Sequence, residues 1–381
     1  MKKIKKIVFL TGTRADFGKL RPLIDMIQFS DKFASSVFVT GMHTLSKYGS
    51  TYVEVQKRGY QNVFVFMNQT HTTDQDTILA NTIIGFGNFV KEISPDMIVV
   101  HGDRVEALAG VIVGNFCNIL VSHVEGGEIS GTIDELIRHA VTKLSHIHFV
   151  SNKEAKQRLI QMGEFENRIF IIGSPDIEIM KSKELPSLDK VKNRYDIPFE
   201  DYVVAIFHPI STELNSIQHQ ISEFVSALIE SKRNFVVIYP NNDKGSNIIL
   251  DEYKRFENNS YFKIYPSLRF EYFLSLLKYS KFIIGNSSAG IREAEVYGVP
   301  TVDIGTRQMN RSKNSEIVHI KAKKKKILEA MNEIADKKVK RISHFGSIEK
   351  SGEKFYKILC EEKIWNVSLQ KQFIDLKTSK K

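Results

Sequence analysis

Short apolar runs alternate with helix-period stretches along the first half of the chain. The runs fall at residues 7–10, 36–39, 63–66, 97–100, 119–122, 146–150 and 169–172. They are rich in Val, Ile and Phe and lack clean polar alternation, which predicts strands buried on both faces of a parallel sheet. Amphipathic stretches between them, such as 74–91 and 104–115, predict helices. The rhythm fades over 176–201, where Lys, Glu and Pro dominate, and a linker is expected there. It then resumes, with strands over 203–207, 235–239, 262–265, 282–285 and 301–304. The helices of this second series are expected over 213–231, 246–258, 268–279, 288–297 and 323–336, with one or two more over 354–377. The fold class is therefore α/β, with two Rossmann-like, doubly wound domains. A length of 381 residues also favours two cores over one.

Composition narrows the setting. No apolar run reaches membrane-spanning length, so neither a transmembrane helix nor membrane binding is expected. The basic start, with Lys2, Lys3, Lys5 and Lys6, is followed only by the short run 7–10, too brief for a signal sequence. Cys117 and Cys360 stand far apart and suggest neither a metal site nor a disulfide framework. A cytoplasmic protein is expected. The formal charge of +10 suits an anionic ligand, nucleic acid or a membrane surface. Much of the excess, however, lies in 321–341, where Glu329, Glu333 and Asp336 interleave with Lys at helical spacing. That pattern is a solvated helix face, and without interleaved aromatics no nucleic-acid partner is expected.

The candidate chemistry lies at the strand ends, where open α/β sheets bind ligands. The first strand runs into Thr11-Gly12-Thr13-Arg14, with Lys19 one turn on. This turn matches neither the dinucleotide fingerprint nor the P-loop. It can place an anion near a helix N-terminus, or be a plain tight turn. The fourth strand ends in His101-Gly102-Asp103-Arg104 and the fifth in His123-Val124-Glu125-Gly126-Gly127-Glu128. Asp134 follows in the first turn of the next helix. Carboxylates and imidazoles converging at one sheet end are costly unless used. His146 and His148 share a face of the sixth strand; without a third spaced ligand they read as supporting hydrogen-bonding groups, and no metal is expected. In the second series, His208 closes one strand and Asn241-Asn242 another. Gly285-Asn286-Ser287-Ser288 breaks an apolar strand into a helix start that carries Glu293. Such a turn offers free N–H groups and hydroxyls to a diphosphate, although a serine there also serves as a simple N-cap. Asp74-Gln75-Asp76 matches a metal-binding D-x-D pattern, but it opens a helix, where acids favourably meet the macrodipole.

Taken in order with Gly305-Thr306-Arg307-Gln308, these motifs resemble the hydrolysing UDP-N-acetylglucosamine 2-epimerases of bacterial sialic acid biosynthesis. They are similar too to the epimerase half of the bifunctional animal enzyme. The resemblance covers essentially the whole chain. It implies a glycosyltransferase-B-like fold with the active site in the interdomain cleft. The last helix would return to the first domain, giving domains of 1–180 plus 355–381 and of 181–354. It implies conversion of UDP-N-acetylglucosamine and water to N-acetylmannosamine and UDP, with no metal or nicotinamide cofactor, by a homodimer or homotetramer. Asp103, Glu125 and Asp134 would carry the chemistry, the first two serving elimination and the third rehydration. Arg14, Lys19, Arg104, His208 and the Ser287-Ser288 turn would stabilise the leaving diphosphate. Asn241 or Asn242 and Phe270 would surround the uracil, Glu293 would meet the ribose, and Arg307 would lie near the phosphates. His101, His123, His146 and His148 would position the carboxylates. Neighbouring readings are a hydrolysing epimerase for another UDP sugar, such as UDP-diacetylbacillosamine, a non-hydrolysing epimerase, a glycosyltransferase on the same fold, and a sensor.

Overall fold

The computed structural model describes residues 4–129, 133–309, 311–312, 314–335, 337, 339–341 and 350–375. The expected motif residues 130–132, the expected helix end at Asp336 and the last tail residues, 376–377, lie outside this set. The chain divides into two compact units. The first comprises Met1–Glu128, Asp134–Glu178 and Phe345–Lys381, the second Ile129–Ile133 and Ile179–His344.

The first unit is built on seven strands: β1 (Lys5–Thr11), β2 (Phe33–Val39), β3 (Val63–Val65), β4 (Met97–His101), β5 (Leu120–Val124), β6 (Ile147–Val150) and β7 (Ile169–Ile171). They pair in parallel in the order β3-β2-β1-β4-β5-β6-β7. Alternate residues of each strand feed different cores. Ile7 and Phe9 pack with Phe17, Leu20 and Ile24 of the helix Arg14–Gln28. Val8 and Leu10 pack with Phe86 of Gln75–Ile93 and Val111 of Val105–Phe116. Both faces are covered, which is why these strands show no polar alternation. The tail completes the first face. Phe355, on the helix Ser351–Leu359, is fully buried, with ring centroids 6.3 Å from Phe9 and 4.8 Å from Phe149. Removing such a ring costs about 3–5 kcal/mol. Trp365 stacks on Phe33 at 6.0 Å.

The second unit has six parallel strands: β8 (Val203–Ile206), β9 (Phe235–Ile238), β10 (Phe262–Tyr265), β11 (Ile283–Gly285), β12 (Thr301–Ile304) and β13 (Val318–Ile320). Their order is β10-β9-β8-β11-β12-β13. Val203 and Ala205 pack with the helices Ile217–Ser231 and Lys324–Ile334, and Val204 and Ile206 with the opposite core.

Several expected elements differ. The helix expected over 288–297 is a 3-10 turn, Ser288–Gly290, followed by a separate short helix, Glu293–Tyr297. The helix expected over 213–231 is preceded by a 3-10 segment, Ser211–Ser216, with a kink at Glu213. The stretch expected to be a linker contains the helices Pro175–Met180 and Leu188–Tyr195. The edge strand β13 carried too short an apolar run to be picked out. The D-x-D segment opens the helix Gln75–Ile93, with Asp76 in its first turn. Lys324 and Lys326 pair with Glu230 and Glu329 on an exposed helix face.

Candidate functional site

In each sheet the strand order reverses at one point, between β1 and β4 in the first unit and between β8 and β11 in the second. Polar side chains gather at both switch points, the default ligand position of such sheets.

In the first unit, Thr13 caps the helix Arg14–Gln28. Its hydroxyl accepts the Asp16 N–H at 3.1 Å. Asp16 returns the contact, accepting the Gly12 N–H at 2.9 Å, the Thr13 N–H at 3.1 Å and the Thr11 hydroxyl. This capping box fixes the turn. Thr11 also meets the fully buried His43, whose other nitrogen lies 2.6 Å from the Thr51 hydroxyl. Burial brings the His43 pKa down to about 4, so the ring is neutral. Beside the turn lies Glu106, 1% exposed; a Cβ on Gly12 would come within 2.8 Å of its carboxyl carbon. Glu106 accepts from Arg104 at 3.4 Å, and Arg14 meets Glu54 at 2.5 Å.

Glu125 is the most constrained residue of this end. Its φ of +62° puts a non-glycine residue in the left-handed region, a strain of about 1–3 kcal/mol that the surroundings must hold. Its N–H donates to Phe149 O at 2.9 Å and its carbonyl accepts from Arg138 at 2.7 Å. One carboxylate oxygen accepts from the Ser174 hydroxyl. The other accepts from Lys19 at 3.3 Å and from His101 at 3.1 Å. Lys19 also lies 3.4 Å from Asp176, which is fully buried. Arg138 reaches Asp103 with its second guanidinium nitrogen. One guanidinium therefore ties the β4 end to the β5 end. Asp134 sits one turn before Arg138 on the helix Ile133–Leu144, half-buried.

The four histidines expected to position carboxylates divide. His101 holds Glu125, and His148 holds Glu164 at 3.0 Å. His123 meets the Gly102 carbonyl at 2.8 Å and the Thr142 hydroxyl at 3.2 Å; burial lowers its pKa to about 3. His146, just before β6, accepts the Val121 N–H at 3.0 Å and meets the Leu369 carbonyl at 3.0 Å. His123 and His146 thus serve backbone and hydroxyl groups, because buried strand ends leave carbonyls that need donors.

In the second unit, His208 and Asn286 clamp the switch point. The His208 N–H donates to the Asn286 side-chain oxygen at 2.6 Å, and the Asn286 amide donates to the His208 carbonyl at 2.9 Å. His208 Nδ1 accepts the Asn241 N–H at 3.0 Å, so the neutral ring carries its proton on Nε2. Arg307 and Gln308 donate to the Asn286 carbonyl at 3.3 and 2.7 Å. Gly285 has a φ of +134°, and a Cβ there would lie 1.9 Å from Ile206 O. Only glycine brings the strand this close before the Ser287 turn, whose hydroxyl accepts the Ala289 N–H at 3.3 Å. The Asn241 amide donates to Asp243, leaving its buried Oδ1 without a donor. Asn242 is half-buried beside it, and Glu293 is buried at the start of its short helix. Phe270 opens the helix Phe270–Lys278. Its ring is buried in an apolar cluster with Ile179, Met180 and Leu274.

Sequence reasoning assigned no role to Arg138, Ser174, Asp176, Asp16, His43 or Glu106. Arg138 lay in view four residues after Asp134, on the same helix face. The others became legible only when the fold brought them together. Among the described residues, no three His, Cys, Asp or Glu side chains are grouped to hold a metal ion.

The family model described as UDP-N-acetylglucosamine 2-epimerase matches residues 25–360. A UDP-N-acetylglucosamine 2-epimerase of Neisseria meningitidis serogroup B is 46% identical over 98% of this chain and all of its own. A UDP-N,N'-diacetylbacillosamine 2-epimerase (hydrolyzing) of Legionella pneumophila is 32% identical, covering 93% of this chain and 96% of its own. The polysialic acid biosynthesis protein P7 of Escherichia coli is 33% identical over 88% and 87%. The structure of the Methanocaldococcus jannaschii UDP-GlcNAc 2-epimerase, in complex with UDP-GlcNAc and UDP, superposes with a TM-score of 0.76 at 21% identity, over 93% of this chain and 99% of that one.

Proposed function

The chain belongs to the UDP-N-acetylglucosamine 2-epimerase family, and from that premise we propose that it is a hydrolysing epimerase, releasing N-acetylmannosamine and UDP for sialic acid synthesis. The observation that carries the reading is the strained, multiply held Glu125 beside Asp103, Lys19 and Arg138. Backbone strain at a polar strand end, over-determined by its neighbours, is what a reacting carboxylate requires. The names of the Legionella and Escherichia coli relatives support the hydrolysing and sialic acid elements in turn.

The reaction divides into two balanced steps. In the first, the bond from sugar carbon 1 to the UDP oxygen breaks and the carbon-2 proton passes to a carboxylate, giving a glycal and UDP. Carbon 2 becomes acidic only as positive charge builds on the ring, and ionised carboxylates stabilise that charge. Asp103 and Glu125 take this step, with Arg138 fixing their separation and His101 and Lys19 fixing the rotamer of Glu125. In the second, water adds across the double bond: hydroxide to carbon 1, a proton to carbon 2 from the opposite face. Asp134, one helical turn from Arg138, serves this step as general acid–base.

Each unit carries groups suited to the nucleotide diphosphate. Arg14, Lys19, Arg104 and Arg307, the His208 Nε2–H and the Ser287-Ser288 turn supply the positive charge and donors that a departing diphosphate needs. The unfilled Asn241 Oδ1 suits the uracil imide N–H, with Asn242 beside it, and Glu293 suits the ribose hydroxyls. No step uses a metal or nicotinamide.

The test is product analysis on UDP-N-acetylglucosamine, with UDP-diacetylbacillosamine as competitor. Free UDP and N-acetylmannosamine are expected. Recovery of UDP-N-acetylmannosamine would assign the non-hydrolysing reaction, and strong preference for the bacillosamine sugar would move the substrate.

A further inference from the structure

A cavity of about 560 Å³ lies within the second unit, away from its switch point. Its walls come from residues 180–183 and 185–187, from the C-terminal end of the helix Phe270–Lys278, from the helix Glu293–Tyr297 and from Arg341. Lys181, Lys183, Lys278 and Arg341 line it, and no carboxylate does. None of the four is paired with an acid among the described residues. Lys278 instead lies over the Tyr279 ring, 5.4 Å from its centroid. Tyr297, a second aromatic wall, is fixed by its hydroxyl, which donates to the Met180 carbonyl at 3.1 Å.

Other lysines of this chain behave differently. On the exposed face of Lys324–Ile334, Lys324 and Lys326 each meet a glutamate. Four cations converging on one concavity with no acid among them repel one another, and a bound anion relieves that repulsion. The volume is that of a small-molecule pocket, too confined for a duplex or a membrane surface. The two aromatic rings add apolar walls for a ligand's body.

The placement along the chain is also informative. Residues 180–187 follow directly on the division between the units at Glu178 and Ile179, and Arg341 shortly precedes the return at His344 and Phe345. The cavity is thus lined by residues close in sequence to two of the four points at which the chain changes unit.

We propose that this cavity is a second ligand site, for a phosphorylated small molecule. The phosphate would be held by the four cations as a point-charge cluster.

The test is calorimetric titration of the full chain with inorganic pyrophosphate at low ionic strength. Two binding classes are expected, one at the Lys19 turn and one at the cavity. The double variant Lys181→Ser with Lys278→Ser should lose the second class, weakened about tenfold or more, and keep the first. Lys19→Met should do the reverse. Replacing the same two lysines by arginine should retain both classes. Both lysines are exposed, so the variants should match the parent in circular dichroism and in turnover without pyrophosphate. A single class in the parent, or an unchanged isotherm in the serine variant, would overturn the proposal. So would equal weakening by Lys324→Ser with Lys326→Ser, since binding would then follow net charge. Because the Lys19 arm reports the first site separately, failure of this inference is distinguishable from failure of the proposed reaction.

Discussion

Lys371 bears on how the tail holds the first unit together. Its ammonium donates to Glu164 at 2.6 Å and to the carbonyls of Ser145 at 2.7 Å and Thr142 at 3.4 Å. The last two close the C-terminal end of the helix Ile133–Leu144, where a cation meets the negative end of the dipole. Glu164 is buried and also meets Lys143 at 2.7 Å and His148 at 3.0 Å. Burial alone would raise its pKa, but hydrogen bonding to His148 and the nearby cations prevail and bring it from 4.5 to about 2. That displacement is worth about 3 kcal/mol at neutral pH. One of three partners is removed in Lys371→Met, and two carbonyls lose a charged donor, so a loss of about 2 kcal/mol is expected. The sign with pH follows. A depressed carboxylate stabilises the fold above its unfolded pKa, near 4.5, and the contribution disappears as pH falls towards 2. With Lys371 gone the folded pKa rises, and acid unfolding begins at higher pH. Trp365, the single tryptophan, stacks on Phe33 within the same tail and reports the transition by fluorescence in urea and in acid. An unchanged urea midpoint together with an unchanged acid midpoint would refute the reasoning.

Gly285→Ala places a methyl against Ile206 O at a φ open mainly to glycine; the second unit should lose at least about 2–3 kcal/mol, read as an earlier urea transition by circular dichroism. Arg138→Met frees Asp103 and the Glu125 carbonyl together; kcat should fall about 100-fold with a smaller change in KM, read in steady-state assays of UDP release. Asp134→Asn should allow elimination but slow hydration, so that glycal accumulates in product traces; unimpaired hydration would remove Asp134 from its role.

The strands were legible because burial on both faces leaves unbroken apolar runs, as at Val8 to Leu10 and Val99 to Val100. The broken helix at Ile291 and Arg292 was not, because Ile291 and Ala294 are apolar three residues apart whether or not the backbone stays helical. The packing of Phe270 against Met180, distant in sequence, was not legible, because only the fold brings the two together. Asp103 and Glu125 could be picked out from their strand-end positions. Their common partner Arg138 stood in view one turn after Asp134, but nothing local says which way a guanidinium on an amphipathic helix will reach. Ser174 meets Glu125 across roughly fifty residues of chain, and Asp176 meets Lys19 across a still longer stretch, separations only the fold can close.

The central claim is elimination followed by hydration, with a carboxylate removing the carbon-2 proton. Turnover of UDP-N-acetylglucosamine in deuterated water after chelator treatment, followed by proton NMR, tests it most directly. The account predicts free UDP and N-acetylmannosamine carrying deuterium at carbon 2. N-acetylmannosamine that keeps its original carbon-2 proton, or UDP release with no change at carbon 2, would contradict it.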